Sequence, residues 1–333
     1  MNRKINIGVI GLGIGLKHLS NLMKNVNVNQ IFVFDKNKHK SYEAKKKFKN
    51  IKICKNENDL FKNNNINLIC VCSYDNFHFS HVKKSILSKK DIFVEKPLCL
   101  KTRELKIIKT LVKKNNVNIS SNFVLRQNSF FKNLRDKIKK GFFGKIYLIE
   151  ANYNYGRLDK ITKGWRGRIR NYSVTSGGGI HLVDLVKHLT EKKFHKVISE
   201  GNNISIKNKG LKFPDCVSSI IRFKDSSIMN LTSNFGSISP HHHCLNIFGT
   251  KGSGVYQLNK HFFISDKNKN KLLTFKNVQN NKKLILKNYI KKIISKKKSD
   301  KKKLMFDRQD LFETTNICLK IDSSLRKKKW LKI

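Results

Sequence analysis

The most restrictive feature of the chain lies near its start. Ile5-Asn6-Ile7-Gly8-Val9-Ile10 is followed at once by Gly11-Leu12-Gly13-Ile14-Gly15 and a helical stretch to about Lys24. A β-branched apolar run that breaks on closely spaced glycines and resumes as a helix predicts strand, tight turn and helix, the opening of a doubly wound α/β sheet. The rhythm continues through Ile31 to Phe34, Ile51 to Cys54, Leu68 to Cys72, Ile92 to Val94 and Val117 to Ser120. Leu68-Ile69-Cys70-Val71-Cys72 is apolar throughout, as a strand covered on both faces must be. His78 to Leu87 and Thr102 to Lys114 have helical spacing, with Thr102 as the expected N-cap. Six strands separated by helices predict a parallel sheet over residues 1–122.

Past Asn122 the pattern changes. A helix from Phe130 to Lys140 and a strand from Lys145 to Glu150 precede a long irregular segment to Gly179, then a helix from Ile180 to Leu189. Strands then follow strands: Val217 to Phe223, Ile228 to Phe235, Cys244 to Phe248, Val255 to Leu258 and Phe262 to Ser265. This predicts a second α/β domain over 123–333 with a large, mostly antiparallel open sheet. The Lys/Asn-dense stretch from Gln279 to Lys303 reads as a solvated helix or loop insertion and as the best local place for polyanion contact.

A length of 333 residues fits two domains, and 39% hydrophobic residues excludes a disordered chain. The formal charge of +49 invites a nucleic-acid reading. The lysines, however, are spread from Lys4 to Lys332 among Asn and Ile, while Ala occurs only at Ala44 and Ala151 and proline three times. A+T-rich codons produce such a composition without selection for a polyanion, so a nucleic-acid partner is not expected. The seven cysteines form no disulfide framework, no apolar run approaches a membrane span, and the start lacks a small-residue cleavage site. A cytoplasmic, membrane-free protein is expected.

Glycines after a first strand let the backbone approach a pyrophosphate at a helix N-terminus. The spacing Gly11-x-Gly13-x-Gly15 departs from G-x-G-x-x-G, but Asp35 stands twenty positions after Gly15 at the end of the second strand. An acidic residue there accepts hydrogen bonds from a ribose and repels a 2′-phosphate, which favours NAD over NADP.

Glu95-Lys96-Pro97 follows the fifth predicted strand, and Gly177-Gly178-Gly179-Ile180-His181-Leu182-Val183-Asp184 lies in the second half. With Gly11-Leu12-Gly13, Ser73 to His78, Asn122-Phe123-Val124-Leu125-Arg126, Gly144-Lys145-Ile146, Trp165-Arg166, Ile247 to Gly252 and Cys318 to Ser324, these resemble the glucose-fructose oxidoreductase / inositol dehydrogenase / rhizopine-catabolism (Gfo/Idh/MocA) family of nicotinamide-dependent oxidoreductases almost end to end. The resemblance implies an N-terminal Rossmann domain and a C-terminal domain whose open sheet covers the nicotinamide and mediates homodimers or homotetramers. It implies that Lys96 points at nicotinamide and substrate, where a neighbouring positive charge lowers a lysine pKa. His181 is the candidate general base, because imidazole suits a hydroxyl proton near neutral pH. Asp184, three residues on, can hold or polarise that ring or contact a substrate hydroxyl. The family commonly carries Asp four residues before the histidine, whereas this chain has Gly177.

The candidate cofactor contacts are Gly11, Gly13, Ile14, Gly15, Asp35, Ser73, His78, Glu95, Lys96, Arg126, Trp165 and Arg166. Arg126, Trp165 and Arg166 can also orient a polyhydroxylated or phosphorylated ligand, and Tyr153, Tyr155 and Arg157 line either that cleft or the core. His241-His242-His243-Cys244 is no metal site, since adjacent strand residues face opposite ways and no second ligand cluster accompanies them. The expected function is NAD-dependent hydride transfer at a secondary hydroxyl of a sugar, a nucleotide-linked or amino sugar of surface polysaccharide synthesis being the leading substrate. The alternatives are a free sugar or cyclitol dehydrogenase and a non-catalytic cofactor-binding regulatory protein.

Overall fold

In the computed structural model, which describes residues 4–169, 172–209, 211, 213–269 and 271–333, the opening motif forms as its sequence predicts. Strand β1 (Ile5–Ile10) buries Ile7 and Val9 completely, and α1 (Gly15–Leu22) turns Gly15, His18, Leu19 and Leu22 inward at helical spacing. The same alternation yields β2 (Val28–Phe34), α2 (Lys38–Lys47), β3 (Ile51–Ile53), α3 (Glu57–Lys62), β4 (Leu68–Val71), α4 (His78–Leu87), β5 (Asp91–Val94), α5 (Thr102–Asn115) and β6 (Ile119–Ser121). The strands pair in parallel in the order β3-β2-β1-β4-β5-β6. That order reverses beside β1, so the glycine turn after β1 and the loops after β4 and β5 lie at carboxyl strand ends flanking the switch point, where doubly wound sheets bind ligands. Thr102 is the first helical residue of α5 and not its N-cap. The cap position is Lys101, and the Glu104 carboxylate accepts the N–H groups of Leu100 and Lys101.

The chain divides into two compact units: residues up to Asn122 with Lys283–Glu313, and Phe123–Lys282 with Thr314–Ile333. These bounds differ from the expected 1–122 and 123–333 in that 283–313 groups with the first unit. The Lys/Asn-dense stretch is solvated on one face of its helix and buried on the other. Its helix, α9 (Leu284–Ile294), places Leu286, Tyr289 and Ile290 in the same apolar core as Leu19, Ile31, Leu68 and Phe93. Each such side chain contributes about 1.5–3 kcal/mol on burial, enough to fix the helix there despite its lysines. Lys292 reaches Asp307 at 2.5 Å, so part of the local charge is paired within the unit.

In the second unit, α6 (Ser129–Lys139) precedes β7 (Ile146–Asn154), the short α7 (Asp159–Thr162) and α8 (Ile180–Thr190). The remaining strands are β8 (Phe194–Asn202), β9 (Cys216–Phe223), β10 (Ile228–Asn234), β11 (His242–Gly249), β12 (Gly252–Tyr256), β13 (His261–Ser265), β14 (Leu273–Thr274) and β15 (Leu331–Lys332). They form one sheet, ordered β14-β13-β12-β11-β7-β10-β9-β8-β15, in which β7 and β10 are the parallel pair and the other contacts are antiparallel. The 30-residue α10 (Lys298–Lys327) contributes its residues to Glu313 to the first unit and the rest to the second. Helix α8 is buried from Ile180 through Val186, and this holds His181 and Asp184 inside the second unit. Among the described residues no helix is long and apolar enough to cross a membrane.

Candidate active site

In the first unit the chain leaves β1 through Gly11 at φ +92°, where a Cβ would lie 2.6 Å from the Cys72 carbonyl and the Ser73 nitrogen. Only glycine fits so close to the end of β4. Two residues on, a Cβ on Gly13 would meet nothing within 4 Å, and Ile14 beside it is 40% exposed. Helix α1 has no side-chain cap and no acidic residue in its first turn. An open glycine before an uncapped helix end suits a dinucleotide phosphate. Gly15 instead packs, its would-be Cβ 3.2 Å from Val9 Cγ1. Asp35, at the end of β2, accepts the Leu12 N–H at 2.6 Å through Oδ2 and the Asn37 N–H at 2.8 Å through Oδ1. Its carboxylate is therefore bonded directly to the glycine turn.

The loop after β5 is held from both sides. Glu95 is buried and accepts from His18 Nε2 at 2.7 Å and Asn122 Nδ2 at 2.9 Å, which ties α1 and the end of β6 to it. Burial pushes its carboxyl up, but the His18 hydrogen bond, the His18 and Lys96 charges and the Asn122 bond outweigh that and hold it below the usual carboxylate range. Beyond Lys96 the peptide to Pro97 is cis, and the Pro97 carbonyl lies 2.6 Å from His78 Nδ1. His78 Nε2 lies 3.0 Å from the Ser73 carbonyl. His78 is fully buried with each ring nitrogen against a backbone carbonyl, so it braces the loops after β4 and β5. The Ser73 hydroxyl lies 2.9 Å from His81 Nδ1. Sequence spacing thus locates this cluster, and the structure divides it into Lys96 and the residues that hold its backbone.

In the second unit Arg126 grips Asp184 with two bonds, Nε to Oδ2 at 2.8 Å and a terminal nitrogen to Oδ1 at 2.5 Å. The Asp184 side chain is wholly buried, and the guanidinium lies 5.5 Å from the Phe123 ring centre. This fork engages both Asp184 oxygens and changes the expectation for the pair: Asp184 and Arg126 form a buried brace between α8 and the short turn Val124–Gln127. His181, on the same helix, packs edge-on against His243 with ring centres 5.9 Å apart, and His243 lies 5.6 Å from His241. Because strand side chains alternate, His241 and His243 share one face with Tyr153, which β11 pairs with His243. Burial, then the Arg157 charge, lower the His241 pKa to about 4, with Lys282 and His242 adding to the effect against a bond to the Asn154 backbone carbonyl. A cavity of about 260 Å³ opens here, lined by His241, His242, His243, Tyr256, Asn280 and Lys282 among others. Among the described residues no group of three or more His, Cys, Asp or Glu is arranged to hold a metal ion.

Tyr153 and Tyr155 are core residues, Tyr155 stacking on Phe235 at 4.4 Å. Trp165 and Arg166 lie in a short turn, Trp165–Arg168, with the guanidinium 4.5 Å over the indole and Arg166 Nε donating to the Tyr172 hydroxyl at 3.1 Å. The sequence singles out His243 only as part of the His241-His242-His243-Cys244 run weighed for metal binding, and does not single out Tyr172 at all. Alternation along β11 could have grouped His243 with His241, but nothing in the irregular segment singles out Tyr172.

The glycine segment before α8 is anchored by a half-buried acid, Asp322. Ser173 Oγ donates to Asp322 Oδ1 at 2.8 Å and Ser176 Oγ to Oδ2 at 3.3 Å. Burial pushes the Asp322 pKa up to about 6, against the Ser173 bond, the Arg326 charge and the Ser176 bond. A folded-state value above the unfolded one means the folded protein binds the extra proton between about pH 4 and 6. Stability therefore falls as pH rises through that window, and the deficit is complete above it. Asp322→Asn is expected to raise stability by about 3 kcal/mol at pH 8 and by less than about 1 kcal/mol at pH 4. Urea denaturation of both proteins across pH tests this, and a difference independent of pH would refute it.

A family model described as the oxidoreductase family with NAD-binding Rossmann fold matches residues 5–123, and the GFO/IDH/MocA C-terminal domain model matches 131–255. The chain is 25% identical over 255 residues to myo-inositol 2-dehydrogenase of Thermotoga maritima, covering 74% of each protein. Its fold is similar to that of the inositol dehydrogenase homologue of Azotobacter vinelandii solved with NADH and myo-inositol, with a TM-score of 0.82 at 14% identity over 99% of this chain and 98% of that one. It is likewise similar to myo-inositol 2-dehydrogenase of Lactobacillus plantarum, with a TM-score of 0.79 at 17% identity over 99% of this chain and 100% of that one. With the glycine turn and Asp35 in one unit and His181 on its buried helix in the other, the chain belongs to the GFO/IDH/MocA family of oxidoreductases with an NAD-binding Rossmann domain.

Proposed function

We propose that the protein is an NAD-dependent dehydrogenase that oxidises a secondary hydroxyl of a cyclitol or sugar. The observation that carries this is the first unit's turn: an open Gly13 beside an uncapped helix end, with the Asp35 carboxylate bonded to the Leu12 amide. That carboxylate favours ribose hydroxyls and repels a 2′-phosphate, which supports NAD over NADP. When bound, the nicotinamide supplies the hydride acceptor. Gly11, Gly13, Ile14 and Asp35 hold the dinucleotide, and Glu95 and His78 fix the backbone on both sides of Lys96. Lys96 steadies the developing alkoxide, and His181 accepts the hydroxyl proton. The inositol dehydrogenases among its relatives support the cyclitol class. The charges of Arg157 and Lys282 felt at His241 favour a substrate with an anionic substituent, which keeps phosphorylated and nucleotide-linked sugars in view.

A screen of the purified protein with NAD and with NADP decides among these, against myo-inositol, scyllo-inositol, free hexoses, a hexose phosphate and a nucleotide-linked amino sugar. Absorbance of the reduced cofactor is expected to grow with NAD and at least one polyol. No reduction across the panel would overturn the dehydrogenase reading, and preference for NADP would overturn the role given to Asp35.

A further inference from the structure

We propose that the Tyr172 hydroxyl positions the substrate's reacting hydroxyl beside His181, from the space into which a side chain at residue 177 would project; this rests on the dehydrogenase reading above. Gly177 lies in the π-helical turn Thr175–Gly179 that runs directly into α8, four residues before His181. A Cβ on Gly177 would fall 1.9 Å from the Tyr172 hydroxyl oxygen and 2.6 Å from Cζ. The tip of the phenol therefore fills that space, and a glycine is what lets it in.

The phenol is held there by its surroundings. Tyr172 is 4% exposed, its ring edge-on to Phe213 at 5.4 Å, Phe235 at 6.1 Å and Trp165 at 6.4 Å. Arg166 Nε donates to its oxygen at 3.1 Å. A phenol oxygen that accepts from a guanidinium polarises its own O–H and becomes a stronger donor. In the reaction the substrate carbon would give up its hydrogen as hydride, for which a bound nicotinamide would be the acceptor, while the O–H proton passes to the His181 imidazole and the carbonyl forms. Tyr172 exchanges no proton in this balance. Its hydroxyl bonds the substrate oxygen and aims it at His181.

The test compares Tyr172→Phe with the wild type on a polyol that the wild type oxidises. The ring is retained, so packing is expected to survive, and thermal unfolding checks this. We expect kcat to fall about 30-fold with KM changed less than about threefold, as for lost orientation at a reacting centre. Gly177→Asp alone should be inactive by collision with the phenol, while Tyr172→Ala with Gly177→Asp should regain at least about tenfold over Tyr172→Ala, the carboxylate entering the vacated space. If Tyr172→Phe does not fold, Arg166→Met keeps the phenol and removes its donor, with a loss of about tenfold in kcat expected. A Tyr172→Phe kcat within twofold of wild type, or an unchanged kcat in Arg166→Met, overturns the inference and leaves the dehydrogenase reading standing. A wild type that reduces no cofactor with any polyol overturns both.

Discussion

Replacing Lys96 by methionine is expected to lower kcat for cofactor reduction by about 10³-fold while NAD affinity changes by less than about threefold. The size of the effect follows from how little else the substitution disturbs. The backbone on one side is held by Glu95, whose amide donates to the Val71 carbonyl at 2.8 Å and whose carboxylate is fixed by His18 and Asn122. On the other side the Pro97 carbonyl meets the buried His78 ring. Methionine keeps most of the aliphatic stem, so the loss isolates the ammonium group. A cation aimed at an oxygen that gains negative charge only as the hydride leaves acts on kcat and not on ground-state binding. Steady-state NADH absorbance with calorimetric NAD binding separates the two quantities. A variant that turns over at the wild-type rate would show that Lys96 is one more surface lysine.

The first unit is legible in the sequence because its signals are local. β1, the glycine turn, α1 and β4 each carry their own period, and His78 to Leu87 is helical from end to end as predicted. What fails is legibility across distance. Helix α9 has Leu286, Tyr289 and Ile290 at helical spacing, but the lysines between them dominate the composition, and its docking partner is some 200 residues upstream. Strand β8 escaped because His195, Lys196, Glu200 and Gly201 interrupt its alternation, while pairing with β9 on one side and β15 on the other stabilises it. The site divides in the same way. Glu95-Lys96-Pro97 and His181 stand out as motifs, whereas the bonds that make Glu95 and His78 braces join residues far apart in the chain. Tyr172 is the extreme case, since its relation to Gly177 exists only once the irregular segment has folded.

The same distinction between motif and brace governs Arg126, whose replacement by methionine is expected to destabilise the protein by about 3–5 kcal/mol. Asp184 is fully buried in α8, and the two Arg126 bonds at 2.8 and 2.5 Å satisfy both its oxygens. Removing the guanidinium leaves a carboxylate charge in an apolar helix interface without its counter-charge, and that desolvation exceeds the net worth of the intact pair. The companion Asp184→Leu, combined with Arg126→Met, removes both charges and should recover most of the loss. A pH series distinguishes this from a simple packing defect. With Arg126 gone, the Asp184 carboxyl is pushed up by burial and takes a proton in the folded state first, so the deficit of Arg126→Met should shrink as pH falls from 8 toward 5. Urea denaturation of the wild type, the single variant and the double variant across that range measures this. A deficit that stayed constant with pH, or a double variant no more stable than Arg126→Met, would show that Arg126 acts through its stem packed on Phe123 and not through its charge.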